Sequence, residues 1–174
     1  MSDGGQTSDG LFALAAEVLA AARVHADLIA TAESCTGGLV SAALTSVPGS
    51  SDVFDRGFVT YTNTAKSEML GVPFWMIEKH GAVSEEVARS MAGGALTHSN
   101  ATLAVAITGI AGPGGGSVDK PVGLVHFAAA RRDLPMRHQC MAFGDLGREE
   151  VRRRSVECAL LMLRALAQVP PGIL

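Results

Sequence analysis

Apolar residues along the chain fall into runs whose spacing predicts several helices. The amphipathic run Leu11–Val24 predicts the first helix, and the run Arg148–Gln168, which a Pro-Pro pair follows, predicts the last. Ser84, with two glutamates directly behind it, is typical of a helix start, and this helix is predicted to run to about His98. Shorter segments are predicted as helices at Thr36–Ser46, from Asn63 or Thr64 to Leu70, and, as helix or turn, at Phe74–His80.

Five other runs have the composition and spacing of β-strands. Ala101–Ile107 is apolar throughout, as expected for a central strand that is buried on both faces. Gly57–Tyr61 alternates and is rich in residues that favour strands. The remaining strands are predicted at Asp27–Thr31, Val122–Ala130 and Met136–Phe143.

The order of these elements predicts an α/β fold. Helices and strands alternate at first, and the last two strands are predicted to form a hairpin with its turn at Arg131–Pro135, before the last helix. We therefore expect one domain over residues 11–168, built on a mixed sheet of about five strands with helices on both faces. The length of 174 residues is enough for one sizeable core. The Gly/Ser/Asp-rich segment Met1–Gly10 is predicted to be a disordered tail.

Composition and charge argue against several classes of protein. No apolar run reaches transmembrane length, and the segment before Leu11 has no Lys or Arg, so a signal peptide is not predicted. A net charge of −3 and a pI of about 5.9 provide no general attraction for nucleic acid or anionic membranes. The run Arg152–Arg154 is the local exception. Glutamates at i,i+4 spacing accompany it, and this pattern predicts a solvated, ion-paired helix face.

The cysteines and histidines do not form a recognisable ligand pattern. The three cysteines are far apart and no C-x-x-C is present, and the five histidines show no ligand spacing. The sequence therefore predicts no disulfide framework, no metal site and no redox cofactor. A reducing cytoplasm fits this use of cysteine.

The stretch Thr31–Gly38 carries the most informative chemistry. It is predicted to contain the end of a strand, a turn of small residues and the start of a helix, where free N–H groups can face a ligand. Two possible nucleophiles, Ser34 and Cys35, lie in this turn next to the carboxylate of Glu33. A nucleophile together with N–H donors is the beginning of an acyl-transfer site. The donors are expected among residues Thr36, Gly37 and Gly38.

A candidate base for this site lies after the strand that contains the single tyrosine. Tyr61 is predicted at the end of the strand, and Lys66 follows in a helical turn. Lys66 is either a surface residue or a general base, because a lysine that is partly desolvated can accept a proton from a serine. The chain has no Ser-His-Asp set in a known order, so Lys66 is the best available base for Ser34. Cys35 is the rival nucleophile, without an obvious histidine partner.

The glycine-rich stretch Thr108–Gly116 follows the central strand. It lacks the G-x-G-x-x-G spacing of a dinucleotide site, a strand follows it where such a site has a helix, and no Walker A lysine is present. A simple connection and a phosphate cradle are both compatible with it. Ser117–Lys120 matches S-x-x-K, but Pro121 disfavours the helix that this motif requires.

Several of these stretches, in this order, resemble the CinA C-terminal domain family, which is also called the PncC-type nicotinamide mononucleotide amidohydrolases. The stretches that carry the resemblance are Ala32–Gly38, Gly57–Lys66, Gly81–Ser84, Thr108–Gly115 and Lys120–Gly123. The likeness covers roughly residues 11 to 168. It implies a three-layer α/β/α sandwich with a mixed, mostly parallel sheet. It also implies hydrolysis of the carboxamide of nicotinamide mononucleotide (NMN) to nicotinate mononucleotide and ammonia, without a cofactor.

The resemblance also assigns roles to residues of this chain. It implies Ser34 as nucleophile and Lys66 as base, with Tyr61 and Thr108 beside them. Arg148 is the counterpart of the arginine in the family's Gly-Asp-Arg, although two extra residues precede it here. The expected substrate contacts are Glu33, Cys35, Thr36, Gly37, Gly38, Asn63, Thr108, Gly109, Gly112 and Arg148. The expected partners are NMN and a second copy of the chain in a homodimer. A nucleotide-binding or protein-interaction module without activity is the competing prediction.

Overall fold

Six α-helices and five β-strands follow one another in a computed structural model that describes residues 4–170 and residue 172. The helices are α1 Gly4–Val24, α2 Leu39–Thr45, α3 Asn63–Leu70, α4 Phe74–His80, α5 Glu85–Thr97 and α6 Arg148–Ala167. The strands are β1 Ile29–Glu33, β2 Phe54–Val59, β3 Leu103–Gly109, β4 Leu124–Arg131 and β5 Leu134–Ala142. None of the helices in this part of the chain combines the length and the apolar composition that a membrane span requires.

The five strands form one mixed sheet in the order β2-β1-β3-β4-β5. β1 is parallel to both β2 and β3, whereas β4 is antiparallel to β3 and to β5. Four of the strands therefore run in one direction and β4 alone runs in the other. The mixed, mostly parallel sheet predicted from the sequence is confirmed. In the register of β1 with β3, Glu33 lies opposite Ile107, so the two central strands reach the same edge of the sheet together.

The two faces of the sheet bury different helices, because side chains on a strand alternate between faces. Leu103, Val105 and Ile107 of β3 belong to the apolar cluster that contains α1, α2 and α6. Ala104 and Ala106 belong to the cluster that contains α5, together with residues from α3 and α4. The fold is therefore a three-layer α/β/α sandwich, as predicted. The small side chains on the second face let α5 approach the sheet closely.

Some element boundaries differ from those predicted. The first helix begins at Gly4, so residues 4–10 are helical where a disordered tail is predicted; Met1–Asp3 lie outside the described residues. Once the amphipathic part is formed, each further helical residue adds a hydrogen bond at little cost. The second helix begins at Leu39 rather than Thr36, because Gly37 and Gly38 have φ of 59° and 99°, which is not helical.

The contact between α5 and α3 provides a test of the fold around Lys66, which lies on α3. A Cβ at Gly94 would lie 2.1 Å from the carbonyl oxygen of Leu70, whereas a Cβ at the adjacent Gly93 would meet only the end of Met136 at 3.9 Å. We expect Gly94→Ala to lower the free energy of unfolding by about 1–3 kcal/mol through overpacking. Gly93→Ala should raise it by about 0.5–1 kcal/mol through helix propensity. Urea unfolding of both variants checks this, and effects of the same sign would contradict it.

Candidate active site

Ser34 directly follows β1, at the edge of the sheet where β1 and β3 end. Its N–H donates to the carbonyl oxygen of Ile107 at 3.0 Å, which extends the pairing of the two strands by one residue. The chain then turns through residues 34–38, which we call the Ser34 turn. The N–H of Gly37 donates back to the carbonyl oxygen of Ser34 at 3.0 Å and closes the turn. The predicted strand-to-helix turn is therefore present, with the serine at its start.

Lys66 reaches Ser34 from the neighbouring helix α3. The helix begins after Thr62, whose hydroxyl accepts from the N–H of Ala65, and Lys66 lies on its buried side. The Lys66 side chain is only 1% exposed. Its Nζ lies 3.1 Å from Ser34 Oγ and 2.9 Å from the carbonyl oxygen of Thr60. The structure thus brings together the two residues that the sequence proposes as nucleophile and base.

The surroundings of Lys66 disfavour its charged form. Burial lowers the pKa of Lys66 from its ordinary value of 10.5, since the ammonium loses its hydration. Within the described residues no carboxylate forms an ion pair with it, and its hydrogen-bond partners are a hydroxyl and a carbonyl oxygen. A charged Lys66 donates to Ser34 Oγ. In the neutral form the same contact can reverse, with the Ser34 hydroxyl donating to the lone pair of Nζ.

Cys35 also lies at the cleft, but its environment keeps the thiol protonated. The residue is 5% exposed, and burial raises the pKa of its thiol to about 11. The thiolate is the nucleophilic form of cysteine, so this thiol is a poor nucleophile near neutral pH. Of the two candidate nucleophiles in the turn, only Ser34 has a base within hydrogen-bond distance among the described residues.

The carboxylate of Glu33 binds the amides at the start of α2 and does not line the cleft. This carboxylate is fully buried and accepts hydrogen bonds from the N–H groups of Gly38, Val40 and Ser41, at 2.8 to 3.0 Å. It thereby satisfies the free amides at the start of α2. The predicted substrate contacts through Glu33 and Gly38 are corrected, because these groups bind each other. The Gly37 amide is likewise used inside the turn.

The cleft in front of Ser34 has a volume of about 270 Å³. It is lined by nine residues proposed from the sequence, namely Ser34, Cys35, Tyr61, Asn63, Lys66, Thr108, Gly109, Gly112 and Arg148. Four other residues expected to contact the substrate do not line it, namely Glu33, Thr36, Gly37 and Gly38. Tyr61 is 55% exposed, so it forms part of the rim of the cleft rather than its floor.

A further wall comes from Ala82 and Val83, which were not proposed as site residues. Thr108 donates from Oγ1 to the carbonyl oxygen of Ala82 at 2.7 Å. Lys120 donates from Nζ to the carbonyl oxygens of His80 and Val83, at 2.5 and 2.8 Å. The short segment between α4 and α5 is therefore tied to the end of β3 and to the part of the β3–β4 connection that contains Lys120. The signal for this segment in the sequence is that Gly81–Ser84 is one of the stretches that carry the family resemblance.

Arg148 closes one side of the cleft. Its guanidinium donates to the carbonyl oxygen of Gly112 at 3.0 Å and to the phenolic oxygen of Tyr61 at 2.5 Å. No carboxylate in the described chain forms an ion pair with it, so its charge is available to an anion at the mouth of the cleft. Arg148, the counterpart of the arginine in the family's Gly-Asp-Arg, therefore lies at the cleft, although two extra residues precede it in the sequence.

Arg152 departs from the predicted ion-paired face. Arg153 and Arg154 do pair with Glu150, at 2.8 and 2.7 Å. Arg152 instead donates to the carbonyl oxygens of Cys35 and Thr36, at 3.1 and 3.0 Å. The reason is its position one turn after Arg148, which places both residues on the side of α6 that faces the Ser34 turn. Over residues 4–170 and 172, no group of three or more potential ligand side chains is arranged to hold a metal ion.

Comparison with known proteins gives consistent matches. The CinA C-terminal domain family matches residues 11–167. A protein from Escherichia coli K12 named nicotinamide-nucleotide amidohydrolase PncC is 47% identical over 159 residues, which are 90% of this chain and 94% of that protein. A CinA-like protein from Synechococcus sp. RCC307 is 49% identical over 152 residues, or 87% of this chain. The chain spans only 28% to 36% of the length of this and three other longer relatives.

Solved structures show the same fold. The competence/damage inducible protein CihA from Agrobacterium tumefaciens superposes with a TM-score of 0.89 at 52% identity, and covers 91% of this chain and 96% of that one. A protein of the competence-damaged protein (CinA) superfamily from Escherichia coli superposes with a TM-score of 0.80 at 33% identity, over 97% and 94% of the two chains.

Proposed function

Because the chain belongs to the CinA C-terminal domain family, we propose that it hydrolyses the carboxamide of NMN to nicotinate mononucleotide and ammonia. The observation that carries this proposal is the 3.1 Å contact between Ser34 Oγ and the buried Nζ of Lys66, at the cleft. The relative that is named nicotinamide-nucleotide amidohydrolase and matches nearly the whole chain supports the choice of substrate.

The first half of the reaction forms an ester on Ser34. Neutral Lys66 accepts the hydroxyl proton while Ser34 Oγ attacks the carboxamide carbon, which gives a tetrahedral intermediate with an oxyanion. Protonated Lys66 then gives this proton to the amide nitrogen, the C–N bond breaks and ammonia leaves. A base with a lowered pKa suits both steps, because it accepts the proton readily and returns it readily.

The second half releases the acid. A water molecule gives one proton to Lys66 and attacks the ester carbon, and a second tetrahedral intermediate forms. The bond from this carbon to Ser34 Oγ breaks, Lys66 returns the proton to Oγ, and nicotinate mononucleotide leaves. Lys66 therefore ends the cycle neutral and Ser34 ends it as a hydroxyl, so the net reaction consumes one water molecule and produces one ammonia.

Arg148 is proposed to hold the 5′-phosphate of NMN. Its guanidinium lies at the mouth of the cleft and, among the described residues, binds only a carbonyl and a phenol oxygen. Arginine binds phosphate with paired hydrogen bonds. Tyr61, which contacts Arg148, would keep the guanidinium at the rim. The glycine-rich loop lies beside the proposed phosphate position, and the carbonyl oxygen of its residue Gly112 accepts a hydrogen bond from Arg148.

We expect Arg148→Met to raise KM for NMN by about ten- to one hundredfold, since a charge-assisted hydrogen bond contributes about 1.5–3 kcal/mol. Nicotinamide riboside, which lacks the phosphate, should be hydrolysed with the same kcat/KM by the wild type and by this variant. Steady-state kinetics with both substrates checks the prediction, with Arg154→Met as the control because Arg154 pairs with Glu150 away from the cleft. Equal losses with both substrates would show that Arg148 does not act through the phosphate.

The proposed function is tested by incubating the purified protein with NMN and measuring both products. We expect nicotinate mononucleotide and ammonia to appear in equal amounts, at a rate proportional to protein concentration. NMN that binds without turnover would reject the proposal and would favour the nucleotide-binding module. If NMN is neither bound nor hydrolysed, the proposal also fails, and the substrate lies outside the pyridine nucleotides.

A further inference from the structure

Arg152 makes contacts that differ from those of the arginines that follow it. Its guanidinium donates from Nε to the carbonyl oxygen of Cys35 and from Nη2 to that of Thr36. No carboxylate in the described residues forms an ion pair with it, whereas Arg153 and Arg154 both bind Glu150. We propose that Arg152 is a positioning residue, which holds the Ser34 turn so that its free amides stabilise the oxyanion. This inference rests on the proposed amide hydrolysis.

Because of the geometry of the peptide units, these two contacts determine which way the following N–H groups point. The described chain has a single cis peptide bond, Gly112–Pro113, so the peptide units of the Ser34 turn are trans. In a trans unit the C=O and the N–H point in opposite directions. The Thr36 carbonyl that faces Arg152 therefore turns the Gly37 N–H away from α6, and this N–H indeed donates to the carbonyl oxygen of Ser34. By the same rule, the Cys35 carbonyl on Arg152 turns the Thr36 N–H away from α6.

The turn contains buried donors that no protein group satisfies. Within the described residues the amides of Cys35 and Thr36 have no hydrogen-bond partner, although both residues are buried. The hydroxyl of Thr36 is also buried without a partner. Buried polar groups are nearly always hydrogen-bonded, so a local group of unsatisfied donors indicates a place where a ligand oxygen binds. Of these two residues, Cys35 lines the cleft directly after Ser34, where a tetrahedral oxyanion would form, whereas Thr36 does not line it.

Arg152 acts through the backbone on the amide of Cys35, the residue of the pair that lines the cleft. Its two hydrogen bonds fix the carbonyl groups of Cys35 and Thr36, so this amide is oriented before the substrate arrives. This effect acts mainly when negative charge develops on the substrate oxygen. Arg152 does not line the cleft in front of Ser34, so it should contribute little to binding of the ground state.

The test compares Arg152→Met and Arg152→Lys with the control Arg154→Met, using NMN as the substrate. We expect Arg152→Met to lower kcat about ten- to one hundredfold while KM changes less than about threefold, because a misplaced oxyanion donor affects the transition state. Arg152→Lys keeps the charge but has one donor group for two carbonyls, so an intermediate loss is expected. Arg154→Met should behave as the wild type. A change in KM alone would overturn the positioning role.

A second measurement does not depend on activity. Hydrogen exchange of the amides at residues 35–37 should be faster in Arg152→Met than in the wild type, and unchanged in Arg154→Met. Unchanged exchange in Arg152→Met would overturn the proposal even if the variant lost activity. If the wild type does not hydrolyse NMN but the exchange at the turn still depends on Arg152, the proposed function fails and the control of the turn by Arg152 stands.

Discussion

Replacing Ser34 by alanine is expected to lower kcat for NMN hydrolysis by about 10⁴-fold or more, because the variant has no hydroxyl to form the ester. The neighbouring amides would remain, so a small residual rate above the uncatalysed reaction is compatible with the account. Binding of NMN should change little, since removal of one oxygen leaves the walls of the cleft in place. Rates of ammonia release and a binding isotherm for the variant check both parts.

Cys35→Ala is the matched control for this prediction, because Cys35 is the adjacent residue and also lines the cleft. Its thiol has a pKa of about 11 owing to burial, so it stays protonated near neutral pH. We expect this variant to keep kcat within about tenfold of the wild type, the loss arising from a small cavity. Activity that disappears in Cys35→Ala and persists in Ser34→Ala would move the nucleophile by one residue.

Replacing Lys66 by methionine should lower kcat by about 10³-fold or more, and should also stabilise the protein. Methionine has a similar length and keeps the buried space filled, but it cannot accept or return a proton. It also removes a buried amine that has no carboxylate partner among the described residues, so we expect the free energy of unfolding at pH 7 to rise by about 1–3 kcal/mol. Lys79→Met, at an exposed position in α4, should change neither quantity by much.

The lowered pKa of Lys66 fixes the sign of the pH dependence. Between this folded-state pKa and the ordinary value of 10.5, the unfolded chain binds a proton that the folded chain does not. Stability therefore rises with pH through this window, and the penalty from Lys66 is greatest below its folded-state pKa. The stabilisation by Lys66→Met should shrink as the pH approaches 10.5. In the wild type, kcat/KM should rise with pH with an inflection below 10.5 that the variant lacks.

The central part of the site was predictable from the sequence because it depends on local signals. Ser34 stands where a strand ends in a run of small residues, and such turns place a side chain at the edge of a sheet. Lys66 follows the next strand at the same edge, and β1 and β2 are parallel neighbours, so both residues reach one place. The mixed sheet followed in the same way from the order of the apolar runs.

Other contacts depend on tertiary packing and had no local signal. Glutamates at i,i+4 spacing to Arg153 and Arg154 predict an ion-paired surface for the whole run Arg152–Arg154. The helix instead docks with Arg152 against the backbone of the Ser34 turn. Glu33 is an expected substrate contact because it lies in a stretch that carries the family resemblance. Its side chain instead turns back to the amides of α2, which two glycines with positive φ bring within reach. The homodimer and the cytoplasmic location stay predictions.

The most direct test of the Ser34–Lys66 mechanism is to identify the residue that carries the acyl group during turnover. The wild-type protein is quenched in acid while it hydrolyses NMN, and its peptides are examined by mass spectrometry. The account predicts an adduct with the mass of NMN less ammonia on Ser34, and its disappearance in Ser34→Ala together with ammonia release. An adduct on another residue, or turnover at the wild-type rate in Ser34→Ala, would contradict the account.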